Sequence, residues 1–104
     1  MHQETHPKIL IITTPIGAVP NTNYPPIGSM AVITFLKRAG FKNTHLYNID
    51  LLRPGYEEVV DYIQKEKPDI LGISAVVSTA YGYTKEISCD IKALLPNTTI
   101  ILGG

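Results

Sequence analysis

The residues best placed to contact a ligand fall in three short segments, none of which has a nucleophile beside a base. They are residues 23–28 (NYPPIG), 74–79 (SAVVST) and 103–104 (GG). The two prolines stiffen the first segment, because proline fixes its own φ and pushes the preceding residue toward extended backbone. Gly28 removes a side chain where the backbone would face a ligand. The pattern predicts a binding site lined by backbone and small side chains.

The sequence does not favour catalysis by histidine or cysteine. His2 and His6 lie in a polar N-terminal tail, and His45 begins a predicted strand, at the end away from the expected ligand. No Ser–His–Asp or Cys–His arrangement can be built from these positions. Cys89 is the single cysteine, so it cannot form an internal disulfide or by itself bind zinc or an iron–sulfur cluster. Any metal is therefore expected to come inside a cofactor.

Length and charge indicate one soluble domain with no net charge. Of the 104 residues, 44% are hydrophobic, and nine Lys and Arg residues balance nine Asp and Glu residues. The expected division is a polar tail at 1–7 and one domain at 8–104. The sequence has no basic stripe to favour nucleic acid or an anionic membrane, no apolar run near the roughly 18 residues of a membrane span, and no signal sequence. A cytoplasmic protein is expected.

The apolar runs predict alternating strands and helices. Strands are expected at 8–14, 44–49, 69–77 and 98–102, and helices at 28–39, 54–67 and 80–95. Strands that are apolar throughout are typical of parallel sheets. With right-handed crossovers, the order βαβαβαβ predicts an α/β fold, a doubly wound, flavodoxin-like (Rossmann-like) parallel sheet of strand order 2-1-3-4. Because the chain stops with the fourth strand, we expect a fragment truncated before the fifth strand.

The first predicted helix carries an almost unbroken apolar run from Met30 to Leu36. This run predicts a helix that is buried against the sheet. The segment before it, residues 15–27, is too long for an ordinary connection between a strand and a helix. We therefore expect a binding loop at the carboxyl edge of the sheet, where open α/β folds bind ligands.

Other doubly wound proteins fit these loops poorly. A receiver domain needs acidic residues after the first strand and an aspartate after the third, where this chain has two threonines and residues 74–77. A nicotinamide-binding domain needs a G-x-G-x-x-G element, but Gly17 and Gly28 are far apart, and Asp50 is better interpreted as a turn former after a strand. The flavodoxin phosphate loop has only a weak counterpart in residues 13–17, since proline lacks an N–H group to bind phosphate.

Several short elements occur together and in order along the chain. They are Pro25-Pro26-Ile27-Gly28 at the start of the first helix, residues 37–40 (KRAG) at its end, residues 49–50 (ID), residues 68–74 (PDILGIS) and the final Gly-Gly. In these elements the chain resembles, from residue 8 to residue 104, the N-terminal cobalamin (vitamin B12) binding domain of B12-dependent radical SAM proteins.

The resemblance implies a cobalamin site at the carboxyl ends of the first, third and fourth strands. Its cofactor-binding residues would be Tyr24, Pro25, Pro26, Ile27, Gly28, Ser74, Val76, Ser78, Thr79, Gly103 and Gly104. Ser74 would face the buried nucleotide tail, with Val76 at a position that the family gives to leucine, and the final glycines would leave room for the tail. Taken alone, Ser74 would also fit a hydroxyl at the end of a strand that bonds to the backbone, and the final glycines would also fit a turn.

The resemblance also bears on the cobalt and on the intact protein. In the wider cobalamin-binding fold, a D-x-H-x-x-G loop supplies a histidine ligand to cobalt, and the matching positions here are Asn23 and Pro25. Base-off binding without a protein histidine is implied, with no metal ligand and no catalytic residue in this chain. The intact protein would be a radical SAM enzyme, methyltransferase-like, whose downstream domain holds a [4Fe-4S] cluster and S-adenosylmethionine. The alternative is a domain that has lost the cofactor and serves for docking.

The fourth predicted strand, residues 98–102, would form an edge of the sheet. It is short, apolar and uncharged, and edges of this kind tend to pair with other strands. We therefore expect self-association through this strand or through the apolar surface beside it.

Overall fold

A computed structural model describes residues 7–15, 26–74 and 81–103 and contains a four-stranded parallel sheet. The strands are β1 (Ile9–Thr13), β2 (Thr44–Asn48), β3 (Ile70–Ser74) and β4 (Thr99–Gly103), in the order β2-β1-β3-β4. The helices are α1 (Ile27–Arg38), α2 (Ile49–Leu52), α3 (Tyr56–Glu66) and α4 (Tyr81–Leu94). The predicted α/β fold and the strand order 2-1-3-4 are confirmed.

The ends of the strands differ from the prediction for local reasons. β2 ends at Asn48, one residue early, because α2 begins at the next residue. This short helix was not predicted from the sequence. β4 begins at Thr99, because the N–H of Thr98 is used in a turn and donates to the carbonyl of Leu95 at 3.0 Å. The end of the third predicted strand, residues 75–77, lies outside the described residues.

One face of the sheet packs its central strands, β1 and β3, against α3 and α4. Leu10 and Ile12 of β1 lie in register with Leu71 and Ile73 of β3 and point to this face. The buried cluster consists of Leu10, Ile12, Ile49, Val59, Ile63, Leu71, Ile73, Ile87 and Ile91. Burial of an aliphatic side chain of this size contributes roughly 1.5–3 kcal/mol before the entropy of ordering is subtracted. This cluster is therefore the main source of stability in the described part of the chain.

The other face is covered only in part, and the prediction of a buried first helix is wrong. Ser29 is the one buried residue of α1, while Met30, Val32 and Phe35 are 47%, 49% and 70% exposed. Among the described helices, α1 alone lies on this face, and its main strand contacts are with β2. The surface of β3 and β4 beside α1 is therefore left open by the described residues. An apolar run indicates a contact surface, but it does not show how many other elements cover it.

The ends of α3 follow the signals in the sequence. At its start, the N–H of Gly55 donates to Oε1 of Glu58 at 3.2 Å. After its end, Lys67 takes a left-handed φ of 47°, and Pro68 follows.

No helix in the described ranges has the length and apolarity that a bilayer span requires.

Four tyrosines connect β2, α3 and α4. The ring centroids of Tyr47 and Tyr62 are 4.3 Å apart, and those of Tyr56 and Tyr83 are 5.8 Å apart in an edge-to-face arrangement. The hydroxyl of Tyr56 donates to a carboxylate oxygen of Asp90 at 2.6 Å, whereas the buried hydroxyl of Tyr83 has no hydrogen-bond partner within the described residues. Burial, with smaller contributions from Tyr47 and an acidic side chain, raises the pKa of Tyr83 to about 12.

Candidate functional site

The last residues of the four strands form one row at the carboxyl edge of the sheet. Thr13 lies in register with both Asn48 of β2 and Ser74 of β3, and Ser74 lies in register with Gly103 of β4. Because side chains alternate along a strand, this row lies on the same face as Ile11, the face that α1 covers in part. The edge therefore presents hydroxyl groups and a glycine beside the open part of that face.

A groove of about 250 Å³ lies between α1 and this face of β1, β3 and β4. It is lined by Ile11, Gly28, Ser29, Val32, Gly72, Ile73, Ser74, Ile101 and Gly103. Most of these residues are aliphatic or lack a side chain, and two carry a hydroxyl. An apolar concave surface with a few polar groups is what a small organic ligand requires.

Three of the lining residues are glycines, and two of them border empty space. A Cβ atom added at Gly28 or at Gly103 would meet no atom of the described residues within 4 Å. Neither residue has a positive φ. A Cβ atom at Gly72 would lie 3.4 Å from Cγ1 of Ile11, an ordinary contact. Neither backbone conformation nor the packing of the described residues therefore requires glycine at positions 28 and 103, and their effect is to keep the groove open.

Ser74 accepts a side-chain hydrogen bond at its backbone carbonyl, and its own side chain lies at the mouth of the groove. Its carbonyl oxygen accepts a hydrogen bond from the hydroxyl of Thr14 at 3.1 Å, and Thr14 is buried. This bond ties the end of β1 to the end of β3. The Ser74 hydroxyl makes no hydrogen bond within the described residues, and the residue is only half-buried. It can therefore donate to or accept from a ligand without breaking a contact with a described residue.

Sequence reasoning missed a polar network at the other end of the row. The buried Thr13 hydroxyl donates to Oδ1 of Asn48 at 2.8 Å and accepts the N–H of Asp50 at 3.2 Å. The same Asn48 oxygen caps α2 by accepting the N–H of Leu51 at 3.2 Å. These bonds hold the carboxyl end of β1 against β2. Asn48 is a favourable N-cap residue type, and this is the signal that could have revealed α2.

Asp50 has a partner in the same turn of the chain. A carboxylate oxygen of Asp50 lies 2.7 Å from Nη2 of Arg53, and Nε of Arg53 donates to the Asp50 carbonyl at 2.9 Å. Arg53 itself has a left-handed φ of 48° and ends α2. The arrangement agrees with the interpretation of Asp50 as a structural residue after a strand.

The structure brings three of the predicted cofactor-binding residues together. Gly28, Ser74 and Gly103 all line the groove, although they are far apart in the sequence. Pro26 precedes the first turn of α1, and Ile27 is 69% exposed; neither lines the groove. The other predicted residues lie outside the described residues, and these are Tyr24, Pro25, Val76, Ser78, Thr79 and Gly104.

Six lining residues were not predicted. They are Ile11, Ser29, Val32, Gly72, Ile73 and Ile101. Ile11, Gly72 and Ile101 each lie two positions before a residue of the edge row, Ser29 and Ile73 are the chain neighbours of Gly28 and Ser74, and Val32 lies one helical turn after Gly28. The periods of strand and helix could have identified them once Gly28, Ser74 and Gly103 were chosen.

The described histidine and cysteine lie away from the groove. His45 is at the amino end of β2, and its Nε2 is 2.7 Å from Oδ1 of Asn43. Cys89 is exposed on α4. Within residues 7–15, 26–74 and 81–103, no group of three His, Cys, Asp or Glu side chains is placed to hold a metal ion.

Comparison with known proteins gives one match. The family model described as the B12 binding domain matches residues 13–104. The matched range begins at the end of β1 and includes α1, β3 and β4, and thus nearly all the lining of the groove. Searches of curated proteins and of solved structures found no significant match.

Proposed function

The chain belongs to the family of B12 binding domains, and from this premise we propose that it binds cobalamin, with the nucleotide tail of the cofactor in the groove beside α1. The observation that carries the placement is the pair of glycines at positions 28 and 103, which face open space that the described residues do not use. A ligand in the groove explains why neither position carries a side chain.

The lining fits the chemistry of the tail. A benzimidazole ring is flat and mostly apolar, and Ile11, Val32 and Ile101 offer it an aliphatic surface. Apolar burial contributes about 25 cal/mol for each Å² removed from water. The Ser74 hydroxyl lies at the same groove and is free to bond to the polar part of the tail. When bound, cobalamin would supply a cobalt–carbon bond for alkyl transfer or radical chemistry; the described residues would bind and orient it.

We further propose that the cobalt receives no histidine from this chain. Pro25 stands where the wider fold places its ligand, and proline has no lone pair to give. His45 supports this proposal, because it lies at the amino end of β2 while the groove opens at the carboxyl edge. Binding would then be base-off without histidine ligation.

For the intact protein, we propose a radical SAM enzyme with methyltransferase-like chemistry. The support is the ordered set of elements in the sequence, from Pro25-Pro26-Ile27-Gly28 to Gly103-Gly104. In that arrangement, a downstream domain of the same chain would bind the [4Fe-4S] cluster and S-adenosylmethionine.

A second candidate function is docking of another protein without cofactor. The observation that favours it is the exposed apolar surface of α1, where Ile27 and Phe35 are 69% and 70% exposed. Exposed apolar patches on a folded domain often mark interaction surfaces. This candidate predicts that cobalamin does not bind.

Titration with two corrinoids tests these proposals. Hydroxocobalamin has the nucleotide tail, whereas diaquocobinamide lacks it and is otherwise closely similar. We expect hydroxocobalamin to bind at least tenfold more tightly in isothermal titration, equivalent to about 1.4 kcal/mol. Equal affinities would contradict the placement of the tail in the groove, and no binding of either compound would favour the docking function.

The ligation proposal has its own measurement. Electron paramagnetic resonance of the bound Co(II) state should show no superhyperfine splitting from an axial nitrogen. Splitting that is present in the wild type and lost in His45→Ala would contradict the proposal and identify the ligand.

A further inference from the structure

The groove beside α1 has two layers, because its lining comes from two levels of the sheet. Gly72 of β3 lies in register with Ile11 of β1 and with Ile101 of β4. We call these three residues the inner row. It lies two residues before the edge row, and thus about 7 Å from the carboxyl edge of the sheet.

α1 contributes residues to both layers. It follows β1 and precedes the parallel strand β2, so it begins at the carboxyl edge and runs back along the sheet. Gly28 and Ser29 are in its first turn, near the edge row. Val32 is four residues after Gly28, about 6 Å further along the helix axis, and thus at the level of the inner row. The hydroxyl groups of the described lining therefore lie in the outer layer.

The inner layer offers a ligand no polar group from the described residues. Ile11, Val32 and Ile101 have aliphatic side chains, and Gly72 has none. β3 is paired with β1 on one side and with β4 on the other, so the backbone groups of Gly72 point along the sheet toward neighbouring strands. A polar atom brought into this layer would lose its bonds to water without gaining a bond to a described residue.

Gly72 leaves a slot between the two isoleucines of the inner row. Neighbouring strands are about 4.8 Å apart, so the Cα atoms of Ile11 and Ile101 are about 10 Å apart. A ring between their side chains needs a separation of about 3.5–4.0 Å on each side, so the slot has room for one aromatic ring.

The described residues do not require glycine at position 72. Its φ is not positive, and an added Cβ atom would lie 3.4 Å from Cγ1 of Ile11, an ordinary contact. Glycine inside a strand often marks a place where a ligand comes close to the backbone. The missing side chain at Gly72 is therefore explained by a ligand that lies against β3.

We propose that the inner layer holds the six-membered ring of the base in the nucleotide tail, and that it selects a benzimidazole over a purine. The inference rests on the proposed function and extends it by naming the base. In dimethylbenzimidazole this ring consists of carbon atoms and carries two methyl groups, which match the aliphatic lining. In adenine the same ring contains two nitrogen atoms and carries an amino group, which would be left without partners.

The expected preference is measurable. One buried polar group without a partner lowers an equilibrium constant roughly 5- to 150-fold. We therefore expect the domain to prefer the benzimidazole at least tenfold.

Titration with three corrinoids tests the preference. The third corrinoid, beside hydroxocobalamin and diaquocobinamide, is the adenine analogue, in which adenine replaces dimethylbenzimidazole. We expect hydroxocobalamin to bind at least tenfold more tightly than the adenine analogue. Equal affinities of these two, with weaker binding of diaquocobinamide, would overturn the inference and leave the proposed function intact. Equal affinities of hydroxocobalamin and diaquocobinamide would contradict the placement of the tail, and the inference would fall with it.

Val32→Asn tests the inner layer itself. The amide of asparagine pairs with the amino group and a ring nitrogen of adenine, and asparagine and valine have similar helix propensities. We expect the ratio of the two affinities, hydroxocobalamin to adenine analogue, to fall at least tenfold. Free corrinoids differ in how strongly the base coordinates cobalt, but this difference is the same for every variant of the protein, so it cancels in the comparison.

Ala31→Asn is the matched control for this variant. It places the same amide on the neighbouring residue of α1, which does not line the groove, and it should keep the wild-type ratio. The fold of both variants is checked by circular dichroism. An unchanged ratio in Val32→Asn, or an equal change in the two variants, would overturn the inference.

Gly72→Ala tests the slot. The added methyl group would occupy the place where the ring meets β3, so the affinity for hydroxocobalamin should fall at least tenfold. The affinity for diaquocobinamide, which has no base, should not change. Gly82→Ala makes the same change outside the groove and should leave both affinities as they are. Retained hydroxocobalamin affinity in Gly72→Ala, or an equal loss for both corrinoids, would overturn the position of the ring.

Discussion

Replacing Gly28 with leucine should block cobalamin binding while leaving the domain folded. The added side chain has four carbon atoms, and at about 30 Å³ each, the volume of a water molecule in the liquid, they would take up about 120 Å³. This is roughly half of the groove, whose volume is about 250 Å³. Forcing extra atoms into a filled site costs about 1–3 kcal/mol, and at the upper end of that range the affinity falls roughly a hundredfold.

The same substitution should not harm the fold. A Cβ atom at Gly28 meets no atom of residues 7–15, 26–74 and 81–103 within 4 Å, and leucine is a better helix former than glycine by roughly 0.5–1 kcal/mol. Gly82 provides a matched control. It is also the second residue of a helix, and a Cβ atom there likewise meets no atom in the part of the chain that the structure describes within 4 Å. Gly82→Leu therefore makes the same change of residue type in a helix that does not line the groove.

The assay is titration with hydroxocobalamin, together with urea denaturation of each variant. We expect Gly28→Leu to lose affinity and Gly82→Leu to retain it, with both variants at least as stable as the wild type. If Gly28→Leu binds as tightly as the wild type, the tail does not occupy this groove. If both variants lose affinity equally, the loss does not come from filling the groove, and the reasoning from Gly28 fails.

Three further predictions concern stability. Tyr83→Phe removes a buried hydroxyl that has no partner within the described residues, and should raise the free energy of unfolding by about 1 kcal/mol; an unchanged or lower value would mean that the hydroxyl is satisfied. Burial raises the pKa of Tyr83 from 10.0 to about 12, so the unfolded chain loses this proton at a lower pH than the folded chain. The free energy of unfolding should therefore be constant below pH 10 and decline between pH 10 and 12, and the decline should be smaller in Tyr83→Phe. Equal declines in the two proteins would contradict that pKa. Thr13→Val removes the bonds to Asn48 and to the N–H of Asp50 and should cost about 1–3 kcal/mol in urea denaturation, whereas a cost near zero would show that the network does not stabilise the edge.

The fold was predictable because its signals are local and agree with one another. The apolar runs of β1 and β3 indicate strands without reference to any partner, and the intervening amphipathic helices fix the crossovers. α2 was not predictable from hydrophobic periodicity, because it has only four residues and depends on a cap by Asn48. A helix this short is formed by its contacts rather than by its own propensity.

The candidate site was predictable only in part, for a similar reason. Gly28, Ser74 and Gly103 could be chosen as small residues at the ends of elements, and the parallel register then places them at one groove. The exposure of α1 could not be inferred, because burial depends on the number of elements that cover a face. The apolar run from Met30 to Leu36 would read the same with that face open or covered.

The uneven covering of the sheet also divides the domain into parts of different local stability. All five residues of β1 are buried and it is paired on both sides, whereas four of the five residues of β4 are exposed and it has one described neighbour. Opening of β4 therefore exposes less apolar surface and breaks fewer hydrogen bonds than opening of β1. The groove is lined by residues of both strands. Ile11 belongs to β1, the more stable strand, and Ile101 and Gly103 belong to β4, the strand that opens more easily. A ligand held between Ile11 and these residues of β4 would protect β4 from local unfolding. The free energy needed to order that strand would make the binding free energy of the ligand correspondingly less favourable.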